Sequence, residues 1–325
     1  LPSIYGASAP KTNNADLRTQ GYELSLSWRD AIILGGSPLE YDVTATFNDY
    51  IGYITKFDNP DKTFAKSYYE GMVYGEIWGY KTDGFFATDE EAANYPVDQT
   101  SVNYIISTTG GLKAGDLKYV DLDGDGKISR GSNNVDNPGD RVIIGNSQPR
   151  FQYGLNLGMR WKGFDFSIFF QGIGRMHWYP TGDARFFWGP YSRPWTTYVR
   201  DNFSDMYWSE ENPNAYFPRP RGYIAHSSDD SKGQGRALST PNDRYLQDLA
   251  YCRLKNLTFG YSLPKKWMDK ANMEAVRVYF SGENLGYYAP GFHTEHMDPE
   301  SAKQGDKSHI YPWQKTFMFG IDITF

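Results

Sequence analysis

The chain has 325 residues, 39 acidic against 33 basic side chains for a net charge of -6, and a mean hydropathy of -0.63. Its 26 Tyr, 20 Phe and 9 Trp exclude a disordered chain, and the acidic balance argues against non-specific nucleic-acid binding. The single cysteine, Cys252, excludes an intrachain disulfide framework and a Cys-rich zinc site, and no apolar run reaches the ~18 residues of a membrane helix. A β-barrel membrane protein passes all these tests, because its apolar residues alternate with polar ones.

Seven segments alternate with the period of a strand. In chain order, the first sets Tyr22, Leu24, Leu26 and Trp28 against Glu23, Ser25, Ser27 and Arg29. The second sets Tyr41, Val43, Ala45 and Phe47 against Asp42, Thr44, Thr46 and Asn48. The third carries Phe151, Tyr153, Leu155, Leu157, Met159 and Trp161 on one parity, and the fourth Phe164, Phe166, Ile168 and Phe170. The fifth has Leu257, Phe259, Tyr261 and Leu263, and the sixth Val276, Val278 and Phe280. The last has Phe317, Phe319, Ile321, Ile323 and Phe325.

The connectors alternate in length. Residues 30–39, 162–163 and 264–274 are short links, while 56–148, 176–245 and 289–313 are long ones. A soluble sandwich has no reason to sort its loops this way, whereas an outer-membrane barrel pairs short periplasmic turns with long extracellular loops. With the last strand running down to the periplasm, every long connector lies outside the cell. Trp28, Trp161 and Trp267 then fall near the periplasmic ends, where an aromatic girdle is expected. Seven strands are too few and too odd for a closed bacterial barrel, and no signal segment follows Leu1. The expectation is therefore a C-terminal part of a larger barrel, or one overlooked strand. Residues 72–80 are the extended segment nearest to a further strand, placed in a long loop over the barrel mouth. The terminal alternation ending in Phe325 fits a last strand that assembly machinery reads by strand pairing.

The sharpest local motif is Asp121-Leu122-Asp123-Gly124-Asp125-Gly126-Lys127-Ile128-Ser129. Carboxylates at alternate positions converge on one hard cation, Gly126 supplies the sharp turn, and Lys127 offers its backbone carbonyl. This predicts a structural Ca²⁺ site. A twelve-residue loop would place its closing acid at Ser132, which cannot serve, so an insertion moves that role to Asp140, with Asp136 as second choice. No EF-hand helices flank the motif, so the ion would stiffen an extracellular loop.

Several stretches in fixed order carry a family resemblance. They are Asp121 to Ile128, then Gly139-Asp140-Arg141-Val142-Ile143-Ile144-Gly145-Asn146, then Pro149-Arg150-Phe151-Gln152-Tyr153-Gly154. Residues 164–172, 254–264 and 278–285 follow, and Asp298-Pro299-Glu300 precedes the last strand. Together they resemble the C-terminal part of SusC/RagA-type TonB-dependent outer-membrane transporters of Bacteroidota, across nearly the whole chain. The segment between Ser129 and Asp140 is longer than the family's loop. The resemblance implies an all-β fold: the last strands of a 22-stranded antiparallel transmembrane β-barrel with long extracellular loops. It also implies a plug domain and TonB box outside residues 1–325, TonB-ExbB-ExbD as the energy source, and a SusD-like surface lipoprotein as lid.

The function so implied is TonB-energised import of glycan or peptide nutrients across the outer membrane, without enzymatic activity. In the second long connector Trp178, Trp188, Tyr191, Trp195 and Tyr198 could stack on substrate or touch the lid. The reading favoured over this is that they form the loop's own core or the membrane-edge girdle, because an unsupported long loop needs internal packing. His293 and His296 with Asp298 have metal-ligand chemistry without helical spacing, and read as an incidental loop pair. There is no Gly-x-Ser-x-Gly elbow, phosphate loop or HExxH, and Asp229-Asp230 sits in a Ser-rich stretch where solvation is the default. The competing readings are a siderophore- or cofactor-importing receptor, a passive porin, and, from another class, a secreted calcium-binding β-sandwich lectin.

Overall fold

The computed structural model describes residues 13–103, 110–180, 184–192, 199, 201–221, 238, 240–294, 297–303 and 313–325. Thirteen strands run through these residues. The first six are β1 (Ala15–Leu34), β2 (Ser37–Phe57), β3 (Glu76–Tyr80), β4 (Thr82–Phe85), β5 (Leu117–Tyr119) and β6 (Arg141–Asn146). They are followed by β7 (Arg150–Trp161), β8 (Phe164–Arg175), β9 (His177–Trp178) and β10 (Gln247–Asp248). The last are β11 (Tyr251–Ser262), β12 (Ala275–Tyr288) and β13 (Thr316–Thr324).

Seven of them form one antiparallel sheet in the order β1-β2-β7-β8-β11-β12-β13, so every strand lies beside its predecessor. These are the seven segments whose alternation is visible in the sequence. Two of the short links are two-residue hairpin turns with both residues at positive φ: Gly35 and Gly36 at 58° and 76°, Lys162 and Gly163 at 48° and 86°. Such turns match the right-handed twist of the strands they join. The third short link holds a helical turn at Lys265–Met268.

Register converts the alternation into two faces. One row crosses all seven strands as Trp28, Val43, Leu157, Ile168, Leu257, Gly282 and Phe317. The neighbouring row reads Ser27, Thr44, Asn156, Phe169, Asn256, Glu283 and Thr316, polar but for Phe169. Polar groups on that face bond across strands: Arg277 reaches Asp165 at 2.9 and 2.6 Å and Asp322 at 3.2 Å. Gly260 makes the first of these contacts possible, because a Cβ there would fall 2.5 Å from an Asp165 oxygen. The polar face forms an open hollow of about 1010 Å³ lined by Arg29, Glu40, Asp42, Arg160, Asp165 and Arg277, which is the concavity of the wall rather than a ligand pocket.

β1 and β2 run to 20 and 21 residues, well past their alternating segments. Beyond the reach of β7 the upper part of β2 pairs instead with residues 71–74, through Ile54 N–H to the Met72 carbonyl (2.9 Å) and Tyr74 N–H to the Gly52 carbonyl (2.8 Å). Within the extended segment 72–80, residues 76–80 form β3, paired with β6 in the connector rather than added to the wall. Among the described residues no helix is long and apolar enough to cross a membrane, which leaves strand-crossing untouched.

The buried core lies in the long connectors. Tyr80, Leu117, Tyr119 and Ile128 from the first pack with Phe187, Trp188, Phe217, Leu238 and Tyr245 from the second and Phe292, Met297 and Ala302 from the third. Three connectors thus fold as one body at one end of the sheet.

Candidate functional site

The acidic loop is built by its own backbone. Gly124 and Gly126 take φ of 76° and 83°, and a side chain at either position would meet nothing within 4 Å. Conformation, not space, therefore requires glycine. Asp121 accepts the Gly124 N–H at 2.7 Å and the Gly126 N–H at 2.9 Å, closing the turn from inside. Asp123 accepts from Asp125 N–H (3.2 Å) and Asp125 from Lys127 N–H (3.0 Å), so each aspartate holds the residue two places on. The far side is clipped to Asp98, whose N–H donates to the Gly126 carbonyl and whose carbonyl accepts from Ile128 N–H, at 2.9 and 2.8 Å. Ile128 is buried in the connector core.

The closing acid comes from beyond the insertion. Gly131 and Gly139 stand back to back; a Cβ on either would lie 2.5 Å from the other's amide nitrogen. The chain therefore leaves and returns through a neck that only glycines allow, and delivers Asp140 beside Ser129. Asp140 accepts from Leu122 N–H and Ser129 N–H, both at 2.7 Å, bridging the two ends of the motif. Ligand atoms of Asp121, Asp123 and Asp140 lie within 4.8 Å of one another. Asp136 is exposed on the looped-out insertion and takes no part in that group.

The electrostatics of the three acids differ. Backbone N–H donors, first that of Gly126, hold the Asp121 carboxyl below its ordinary range. Burial pushes Asp140 up, with the charge of Asp123 adding to the shift and backbone donors of Ser129, Leu122 and Asp123 opposing it. Among the described residues no lysine or arginine forms an ion pair with Asp121, Asp123 or Asp140. A fully buried carboxylate facing two others without a cation is costly, and a hard cation with oxygen ligands would relieve it. The donor set therefore fits an ion of the Ca²⁺ class. The Asp125 carboxylate stands apart from the group and turns to the Lys127 ammonium at 3.4 Å. The side-chain cluster is therefore three carboxylates, and the expectation for Lys127 concerns its backbone carbonyl, which the ammonium contact leaves untouched.

The aromatic residues divide differently from the contact-surface expectation. Trp188 and Tyr191 are 1% and 3% exposed, so neither presents a face to substrate or lid in this structure. Trp188 packs edge-on to Phe187 and Tyr245 at 4.8 and 5.2 Å, and Tyr191 stacks on Phe217 at 5.4 Å while its hydroxyl donates to the Pro218 carbonyl. Trp178, half-buried in β9, lies edge-on to Phe187 at 6.2 Å. An unsupported loop of this length needs internal packing, and these rings supply it. Trp195 and Tyr198 lie outside the described residues, as do His296, Asp229 and Asp230.

The third connector is tied to the wall by charges that the alternation pattern hides. Arg253 on β11 is 2% exposed, pairs with both oxygens of Asp298 at 2.5 Å, and faces Glu300 at 3.1 Å. Lys255 completes the set with Glu300 at 2.7 Å, and Lys303 donates to the Ser147 carbonyl at 2.6 Å. Asp298 is thus engaged by arginine rather than by a histidine metal site, and the His293 ring packs beside Tyr216 at 5.1 Å. The only sequence signal for this clip was a charged Arg253 and Lys255 at the mouth end of an otherwise alternating strand.

No family model matches the chain. TonB-dependent receptor P3 of Formosa agariphila is 27% identical over 354 aligned residues, covering all of this chain and 30% of the relative. TonB-dependent receptor P26 of the same organism is 28% identical over 65% of the chain and 20% of its own length. Among solved structures, the RagAB peptide transporter superimposes over the whole chain with a TM-score of 0.65 at 20% identity, covering 31% of that chain. The RagAB peptide importer in its open-open state gives 0.65 at 18% identity and 30% coverage. This chain is similar to the C-terminal part of a TonB-dependent receptor of the SusC/RagA type. It spans about 30% of the length of the curated relatives that it matches end to end. The sheet accordingly matches a stretch of outer-membrane β-barrel wall, with its long connectors gathered at one end. The relatives are receptors and transporters by name, not enzymes.

Proposed function

We propose that this chain forms the C-terminal wall and part of the mouth of a TonB-energised importer of glycan or peptide fragments, lidded by a SusD-like surface lipoprotein. The observation that carries this reading is the pooling of all three long connectors into one aromatic core above a wall whose inner face is polar. A passive pore needs no such superstructure, whereas a receptor that must hold a cargo before moving it needs a rigid rim. The receptor relatives and the peptide-transporter fold support the same class. The wall guides cargo and does no covalent chemistry. Energy comes through TonB-ExbB-ExbD acting on a plug that the strand wall would enclose.

The acidic loop has a structural part in this reading. Ca²⁺ held by Asp121, Asp123 and Asp140 would replace the repulsion among them with ligand bonds and hold the acidic loop against Asp98 within the first connector.

The test uses the full-length transporter in its own outer membrane. Cells are given labelled oligosaccharide or oligopeptide pools, with and without a protonophore, and the protein is isolated in mild detergent to see what accompanies it. Accumulation of one pool that stops with the protonophore, together with a surface lipoprotein in the isolate, is the expected result. Uptake that persists without the proton gradient would assign a passive pore instead.

A further inference from the structure

At the mouth end of the wall a pocket opens beside the last aromatic residues of the apolar face. Tyr22, Phe47 and Phe151 come from neighbouring strands on that face; their rings lie 6.0 and 6.4 Å apart in sequence. Trp161 lies ten residues from Phe151 on β7. At ~3.3 Å per residue and a strand tilt of ~40°, that separation is about 25 Å, the height of a barrel's apolar band. The Tyr22-Phe47-Phe151 group therefore marks the outer-leaflet boundary.

Two guanidinium groups stand directly on this boundary. Arg150 and Arg175 are register partners on β7 and β8; both spring from the parity of the polar face, yet their guanidinium groups reach the Phe151 ring, at 5.1 and 5.7 Å. Like charges placed opposite one another across a sheet repel. Arg150 is neutralised by the buried Asp49 in a two-pronged pair. Arg175 is exposed, and among the described residues it has no carboxylate partner. Beside them is a cavity of about 450 Å³ lined by both arginines, Tyr53, Gln148 and His177. The one carboxylate lining it, Glu76, is taken up by Tyr69 O–H, Val73 N–H and Trp78 Nε1–H. Arg175 thus stands without an ion pair among the described residues, while Glu76, the carboxylate in the same cavity, is oriented by other donors.

We propose that this cavity seats the phosphate of an outer-leaflet lipid headgroup, with Arg175 as its principal donor and the Tyr22-Phe47-Phe151 rings against its acyl chains. A guanidinium offers a planar fork that matches phosphate oxygens, and aromatic rings at the boundary hold the chains below. The inference rests on the wall crossing the outer membrane and is independent of what is imported.

The full-length transporter, purified from outer membranes in mild detergent, is reconstituted in nanodiscs carrying phosphorylated or enzymatically dephosphorylated lipid A. Lipid retained per protein is then counted by native mass spectrometry. Wild type should retain the phosphorylated form about tenfold better, and Arg175→Gln should erase that preference while Arg175→Lys keeps part of it. Because Arg175 is exposed and unpaired, both variants should assemble normally, checked by their heat-modifiable migration in gels. Millimolar inorganic phosphate should leave retention unchanged; displacement by it would mean a site for free phosphate and would overturn the lipid assignment. Equal retention of the two lipids by wild type, or an unchanged preference in Arg175→Gln, would also overturn it.

Discussion

In the wall, Phe317, Phe319 and Ile321 are 61%, 84% and 66% exposed, whereas in the connectors Trp188, Tyr119 and Tyr245 keep 1% or less of their surface. Both regions are rich in apolar and aromatic residues, yet one turns them outward and the other packs them inward. The difference teaches that this chain is built for two solvents. Strand residues need only a two-residue period, because lipid itself covers their apolar face. Connector residues stand in water and must supply their own core, as a soluble domain does. Hydropathy averaged over the chain hides both facts.

The largest test of that contrast lies in the connector core. Trp188→Ala removes a fully buried ring and should cost about 3–5 kcal/mol of connector stability. Protease added to intact cells should then cut the extracellular region, while the membrane-embedded strands stay assembled. Loss of the whole barrel would mean that wall and connectors fold as one unit. Next in size, Ile168→Arg places a charge on the apolar row and should cost about 2–4 kcal/mol of assembly, measured as folded yield into bilayers. The same change at Ser167, one residue away on the polar face, should cost far less. If the two substitutions cost the same, the assignment of faces is wrong.

A smaller effect is expected at the acidic loop. Asp140→Asn should weaken Ca²⁺ binding by on the order of tenfold or more, and Asp136→Asn should leave it nearly unchanged, as read by calorimetry on the full-length protein. Equal or reversed effects would remove Asp140 as the closing ligand. The smallest effect is a pH dependence at His177, whose ring accepts the Asn146 N–H at 3.1 Å and whose pKa burial holds below its ordinary 6.5. The unfolded chain takes up a proton there before the folded one does, so this contribution is full above pH 6.5 and fades as pH falls toward the lowered value. Hydrogen exchange at the Asn146 amide should quicken on acidification through that window, and a rate that does not change beyond intrinsic chemistry would contradict the assignment.

The wall was legible in the sequence because one physical rule, alternation at period two, governs each of its seven strands. The upper reaches of β1 and β2 were not, since Asp49-Tyr50-Ile51-Gly52-Tyr53-Ile54 breaks the pattern where lipid no longer dictates it. At the acidic loop, carboxylate spacing pointed to Asp121, Asp123 and Asp125 alike, of which the first two share the carboxylate group, and counting past the insertion pointed to Asp140. The clip to Asp98 left no trace, because it is made by backbone groups more than 20 residues away. Composition likewise could not separate Trp188 and Tyr191 as contact surface from Trp188 and Tyr191 as core; only burial decides. The ion pairs of Arg253 and Lys255 with Asp298 and Glu300 join residues about 45 positions apart, beyond any local rule.

The central claim is that the strands cross the outer membrane with one parity toward lipid. Single cysteines placed in a Cys252→Ser full-length transporter along β8, at Phe166, Ser167, Ile168 and Gln171, would each carry an environment-sensitive label in native outer membranes. Lipid-borne quenchers should reach positions 166 and 168, and water-borne quenchers positions 167 and 171. A label response without that two-residue alternation, or water access at 166 and 168, would contradict the account.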